Sequence, residues 1–189
     1  MNMSLVLNHR WEHALIGAVI DRSYEKCPEC YLGRTAIQKL LYFLNVLGVP
    51  MRYNFDIHHY GPFCQSIMHD VEWLAADGVI EDRAKDSHYS NYKPGAAWSE
   101  LAGQFSDKLN SVKEQIESVC DALSGMSPET LELIATLDFS YRWVRAAGGS
   151  GPWKAKAIEK FKSIKKEKFT GDEIDTWYDV LVDATLVEA

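Results

Sequence analysis

The chain has 189 residues, 47% of them hydrophobic and 25% charged, with a formal net charge of -7. That is enough apolar material for a packed core without metal or disulfide support, and too ordinary a balance for wholesale disorder. No apolar run reaches the roughly 18 residues that span a bilayer, and the opening MNMSLVLNHRWEHAL lacks a basic stretch followed by an apolar block, so a cytoplasmic protein with no membrane partner is expected.

From about Leu7 to Tyr24, Trp11, Ala14, Leu15, Ala18 and Val19 recur at three-and-four spacing and predict an amphipathic core helix. A polar loop with Cys27-Pro28-Glu29-Cys30 follows. Thr35 and Gln38 then have the spacing of a capping box for a second helix, lined by Ile37, Leu40, Leu41, Leu44 and Leu47 and stopped by Gly48 and Pro50. Met51 to His58 alternates enough to predict a short strand paired with a later wing. Gly61-Pro62 ends it, and Pro62 is expected at the first position of a third helix carrying Ile67, Val71 and Leu74 and ending at Gly78.

Val79-Ile80 opens a predicted hairpin through EDRAKDSHYSNYKPG. A continuous stripe from Leu101 to Leu123 predicts one long helix from Ser99. Ser127-Pro128-Glu129 caps the next, which runs to about Arg145, and the glycine-rich 148–152 breaks the chain. A short basic helix from Trp153 to about Lys165 and a last helix with a Thr170/Glu173 capping box complete the order. The inward face of that last helix, Ile174, Trp177, Tyr178, Leu181 and Val182, predicts docking rather than a loose tail. The expected fold is mainly α (α+β): a winged-helix-like core with a short β-hairpin over residues 1–147, and a helical extension over 148–189 packed on it.

Little in the sequence points to catalysis. Cys27 and Cys30 have the spacing of half a zinc site, which defines a minor zinc-binding alternative, but no second CxxC or HxxxH supplies the other half. In the absence of an export signal, these two with Cys64 and Cys120 are expected as reduced thiols. His58-His59 lack a nucleophile or carboxylate at an identifying spacing, and there is no GxGxxG, Walker loop or HExxH. No enzyme class is supported, and no cofactor or metal site is expected.

Charge separates the two macromolecular alternatives. A DNA-reading third helix needs Lys and Arg toward phosphate. Here there is none from Cys64 to Ile80, while Asp70, Glu72 and Asp77 are expected to face the duplex. The wing sets Arg83, Lys85 and Lys93 against Glu81, Asp82 and Asp86. The stretch 142–168 has a local balance of +7 and the last twenty-one residues one of -6. If nucleic acid is bound, Lys154, Lys160, Lys165 and Lys166 are the expected patch. The alternative is that the acidic terminal segment neutralises them within the molecule.

The run IQKLLYFL, the strand, YGPF and the helix ending LAADGVIED resemble the Panacea-type domain of bacterial and phage antitoxins and the related YwgA-like proteins. LELIATLDFSYR and IKKEKFTGDEIDTWYDVL fit the YwgA-like side. The resemblance covers most of Thr35 to Leu181. It matches scaffold positions, Lys39, Leu40, Leu41 and Tyr42, then Tyr60, Gly61, Pro62 and Phe63, and no catalytic residue. It implies a mostly helical domain without a cofactor that acts by holding a protein partner, such as a toxin or another defence component. The expected contact residues are Tyr60, Gln65, Ser66, His69, Asp70, Trp73, Tyr89 and Tyr92, because the third helix and the wing are the presenting elements and exposed aromatics suit protein interfaces. A winged-helix transcriptional regulator is the alternative function.

Overall fold

The computed structural model describes residues 8–84 and 89–189. In chain order the elements are α1 (Trp11–Lys26), α2 (Arg34–Val46), β1 (Asp56–His58), β2 (Gly61–Phe63), α3 (Gln65–Ala76), β3 (Ile80–Asp82) and β4 (Tyr92–Pro94). Six helices follow: α4 (Trp98–Gln104), α5 (Ser106–Ser111), α6 (Lys113–Leu123), α7 (Pro128–Ala146), α8 (Trp153–Lys165) and α9 (Gly171–Asp183). The mainly helical α+β class expected from the sequence is the observed one. Among the described residues no helix is long and apolar enough to cross a membrane.

Two compact units divide the chain: the described parts of Met1–Asn54 with Cys64–Gly125, and Phe55–Phe63 with Met126–Ala189. In the first, α1 and α2 are nearly engulfed. Ala14, Leu15, Ile16, Val19 and Ile20 of α1 and Ile37, Leu40, Leu41 and Leu44 of α2 are fully buried. The expected Thr35/Gln38 capping box does not form. α2 starts at Arg34 behind an extended Gly33, and Gln38 is buried. Its Nε2 donates to the Cys64 carbonyl and its Oε1 accepts from the Cys64 N–H, both at 2.9 Å. A side-chain amide matches a backbone amide donor for acceptor, and two such bonds in a core outweigh one at a solvated helix end.

That grip explains a second departure. Pro62 does not open α3; it lies in β2, opposite Ile57. Gln38 holds Cys64 extended (φ -131, ψ 117) as the N-cap, so the helix begins at Gln65. The predicted 51–58 strand shrinks to Asp56–His58 and pairs antiparallel with Gly61–Phe63, not with the wing. Gly61, at φ 83, takes the left-handed conformation that closes the turn through His59 and Tyr60, where a Cβ would be strained.

The hairpin expected from Val79-Ile80 forms as β3–β4, with Ile80 opposite Pro94 and Asp82 opposite Tyr92. Lys85 and Asp86 of its expected tip lie outside the described residues, as does Leu7. The single helix predicted from Ser99 is three, interrupted at Phe105 (φ -119, ψ 20) and Val112 (φ -123, ψ 15). All three pack on α1. A straight helix touches another along one short crossing, so bending twice lets this segment follow α1, with Leu101, Val112, Ile116 and Cys120 buried along it. The stripe's period is the same in both cases, which is why it could not show the bends.

In the second unit α7 is central, with α8, α9 and β2 against it. Ser127 Oγ accepts from the Thr130 N–H at 3.0 Å, with Pro128 in the first turn, as expected. The Thr170/Glu173 capping box is reciprocal: Thr170 N–H donates to Glu173 at 2.8 Å and Glu173 N–H to Thr170 Oγ1 at 3.2 Å. Ile174, Tyr178 and Leu181 are buried and the Tyr178 hydroxyl donates to the Glu188 carbonyl, so α9 is docked. Glu132 and Lys165 form a buried ion pair at 2.8 Å, and Lys165 also donates to the His59 carbonyl, tying the β1–β2 turn to α7.

The expectation of four reduced thiols fails. Cys27 and Cys30 are disulfide-bonded, while Cys64 and Cys120 are free and buried. Burial pushes the Cys120 thiol up to about 12. In non-reducing denaturant, a thiol reagent should therefore titrate two thiols per chain, Cys64 and Cys120, rising to four after reduction. Four before reduction would contradict the bond.

Candidate functional site

The site is built around a carboxylate that the sequence assigned to the surface. Asp70, on α3, is buried. Its Oδ1 accepts from Arg10 Nη2 at 2.7 Å and lies 3.3 Å from His13 Nε2, while Oδ2 accepts from the Tyr53 hydroxyl at 2.7 Å. One side chain thus ties together the N-terminus of α1, the segment after α2, and α3. Asp70 sits with Ile67, Val71 and Leu74 on a single helical face, so the 3.6-residue period already placed it inward.

His13 is fully buried in α1. The Arg10 N–H donates to its Nδ1 at 3.3 Å, so Nδ1 is an acceptor and the ring proton sits on Nε2, facing Asp70. Burial holds the imidazole below its usual value despite the neighbouring carboxylate. Its ring lies 5.4 Å from that of Trp73 and so supports the inner edge of that indole. His9 Nε2 lies 3.3 Å from Asp77 Oδ2 at the other end of α3.

These contacts decide what α3 presents. Gln65, Ser66, His69, Glu72 and Trp73 face solvent, with Trp73 42% exposed. Gln65 Nε2 and His69 Nε2 are 3.3 Å apart. Of the three carboxylates expected to face a partner, only Glu72 does; Asp70 is enclosed and Asp77 turns toward His9. Tyr89, in the same unit, is 65% exposed. Tyr92 is not a surface aromatic as expected. It is 5% exposed, and its N–H donates to the Leu32 carbonyl, because its position on β4 points inward. Tyr60 is 62% exposed on the β1–β2 turn and belongs to the other unit.

The expected nucleic-acid patch is largely spent on internal pairing. Lys165 is buried against Glu132, and Lys168 Nζ bonds both oxygens of the same carboxylate at 2.9 Å. Lys154 pairs with Asp179 at 2.6 Å and Asp175 at 3.4 Å, and Arg145 with Glu188 at 2.8 Å. Lys160 lies over the Trp143 ring at 3.9 Å. The acidic terminal segment thus neutralises part of the belt within its own unit, and Lys166 stays exposed. On the β3–β4 hairpin, Lys93 pairs with Glu81 at 2.7 Å. The zinc alternative loses its thiolates to the Cys27–Cys30 bond, and among the described residues no group of three metal-ligating side chains converges. His58 and His59 serve the hairpin: the His58 ring is 5.1 Å from that of Phe63, and the His59 carbonyl receives Lys165.

No protein-family model matches the chain. It is similar to the uncharacterized protein YwgA of Bacillus subtilis (strain 168), 25% identical over 166 residues that cover 87% of this chain and 90% of YwgA.

The Asp70 cluster gives a pH dependence of defined sign. His13 has a lower folded than unfolded value, the unfolded one being 6.5, so the unfolded state binds the extra proton and stability falls as pH drops through 6.5. Urea unfolding of the native protein between about pH 7.5 and about pH 5.5 should show this loss, and His13→Gln should flatten it. Asp70→Asn should cost about 2 kcal/mol at neutral pH, the scale of hydrogen bonds to a charged group. A variant as stable as the native protein would remove Asp70 from the centre of the unit.

Proposed function

We propose that this protein is a non-enzymatic interaction module, an antitoxin-like or defence-associated regulator, that holds a protein partner on the outward face of α3 with help from the wing. The observation that carries this is the chemistry of that face. Gln65, Ser66, His69 and Trp73 are exposed, with Glu72 the single charge among them. Protein interfaces favour a half-exposed indole in a patch depleted of charge, since the ring adds apolar area and no ion must be stripped of water. Duplex DNA needs the reverse, cations directed at phosphate. The Panacea-type resemblance of the same stretch supports the reading, as does the internal pairing of Lys93, Lys154 and Lys165.

Two measurements test it together. Tagged protein should recover from its own cells a specific protein that a His69→Ala/Trp73→Ala variant recovers at roughly a tenth of the amount or less, the scale of losing an interface anchor. In a fluorescence titration against mixed-sequence duplex DNA at about 50 and about 200 mM salt, no binding in the micromolar range is expected. Micromolar binding that weakens steeply with salt would support a winged-helix transcriptional regulator instead and overturn the proposal.

A further inference from the structure

The sequence places this protein's concentrated positive charge in the 142–168 belt, yet in the first unit three cations from distant parts of the chain meet at one cleft. Arg10, Arg52 and Lys108 line a cleft of about 480 Å³ together with Trp11, Glu12 and Pro50. Its walls are fastened to one another. Trp11 Nε1 donates to the Pro50 carbonyl at 2.6 Å, Arg52 N–H donates to Glu12 Oε1 at 3.1 Å, and Arg10 is held by Asp70 at 2.7 Å. The shape is therefore set before any ligand arrives, which lowers the ordering cost of binding.

The charges are available. Arg10 keeps half of its side chain exposed beside the Asp70 contact, and Arg52 and Lys108 are exposed. Among the described residues neither Arg52 nor Lys108 has a carboxylate partner; Lys108 Nζ instead lies 5.9 Å from the Trp11 ring. Glu12 is the one acid in the lining, 5% exposed, with its Oε1 directed at the Arg52 backbone. Arg10 is the N-cap of the sixteen-residue α1, so the positive end of that helix dipole adds to the same potential. Three cations against Glu12 make this preformed cleft net positive in a protein of charge -7, and Arg52 and Lys108, without a carboxylate partner among the described residues, can each meet an anionic group.

We propose that this cleft binds a small polyanion carrying two or more phosphate groups, either free oligophosphate or the phosphate tail of a nucleotide. The Arg52 guanidinium fork matches the paired oxygens of phosphate, the exposed remainder of Arg10 adds a further donor, and the Lys108 ammonium adds a point charge for a second group. The volume falls within the range of small-molecule sites, so a nucleoside attached to the phosphates fits as well. This inference is independent of the protein-contact role of α3, and either can fail alone.

Calorimetric titration of the full chain with inorganic pyrophosphate, ATP and, as a non-phosphate trianion, citrate tests it. Pyrophosphate or ATP should bind, more weakly as salt is raised. Arg52→Ala and Lys108→Ala should each weaken binding about tenfold and the double variant should abolish it, since each removes a charge-assisted contact. Both side chains are exposed, so the fold should survive, and Lys113→Ala on α6 serves as the surface-charge control. Tighter binding of ATP than of pyrophosphate would assign the nucleotide source, and equal binding the phosphates alone. Absence of binding by both up to about 1 mM, equal binding of citrate, or undiminished binding by the double variant would overturn the proposal.

Discussion

The first unit depends on one buried carboxylate. Burying Asp70 costs several kcal/mol in lost hydration unless its oxygens are satisfied, and here Arg10, His13 and Tyr53 satisfy them. Each donor arrives from a different stretch of chain, so satisfying the charge also fixes how α1, the segment after α2 and α3 meet. Apolar packing of Ile67, Val71 and Leu74 supplies adhesion but tolerates small slides. The directional bonds to Asp70 do not, and they determine which side of α3 is left for solvent.

The consequences run outward from there. With Asp70 enclosed and Asp77 turned to His9, α3 presents a polar and aromatic face with Glu72 as its charge, a different surface from the acidic one the sequence suggests. Trp73 lies against the His13 ring, 5.4 Å between centroids, and keeps 42% of its surface exposed, an arrangement that orders a large side chain at low entropic cost. Arg10 serves twice, closing the Asp70 cluster with one guanidinium nitrogen and lining the cationic cleft with the exposed remainder.

Local signals were legible in the sequence and long-range ones were not. Ser127-Pro128, the Thr170/Glu173 box and the basic helix Trp153–Lys165 follow from spacing and capping chemistry and are present. So, in the main, are the stripes of α1, α2 and α9, although Leu47 of the expected α2 face is exposed beyond the helix end and Trp11, Ala18, Trp177 and Val182 are half-buried. Three expectations failed because a distant partner overrode a local rule. Gln38 left its cap to bind the Cys64 backbone, Pro62 became a strand residue beside a left-handed Gly61, and the stripe after Ser99 bent twice to follow α1. Of the expected contact residues, Asp70 and Tyr92 are inside, and the helical and strand periods contained that information. The Arg10, Arg52 and Lys108 convergence was illegible, because no local pattern links positions so far apart.

The central claim, that the outward face of α3 meets a protein, is tested most directly by site-specific photo-crosslinking in cells that express the protein in its active context. A benzophenone-bearing amino acid in place of Trp73 should capture one discrete protein, while the same probe in place of exposed Lys162 on α8 should not. Adducts to nucleic acid from position 73, or no protein adduct there at all, would contradict the account.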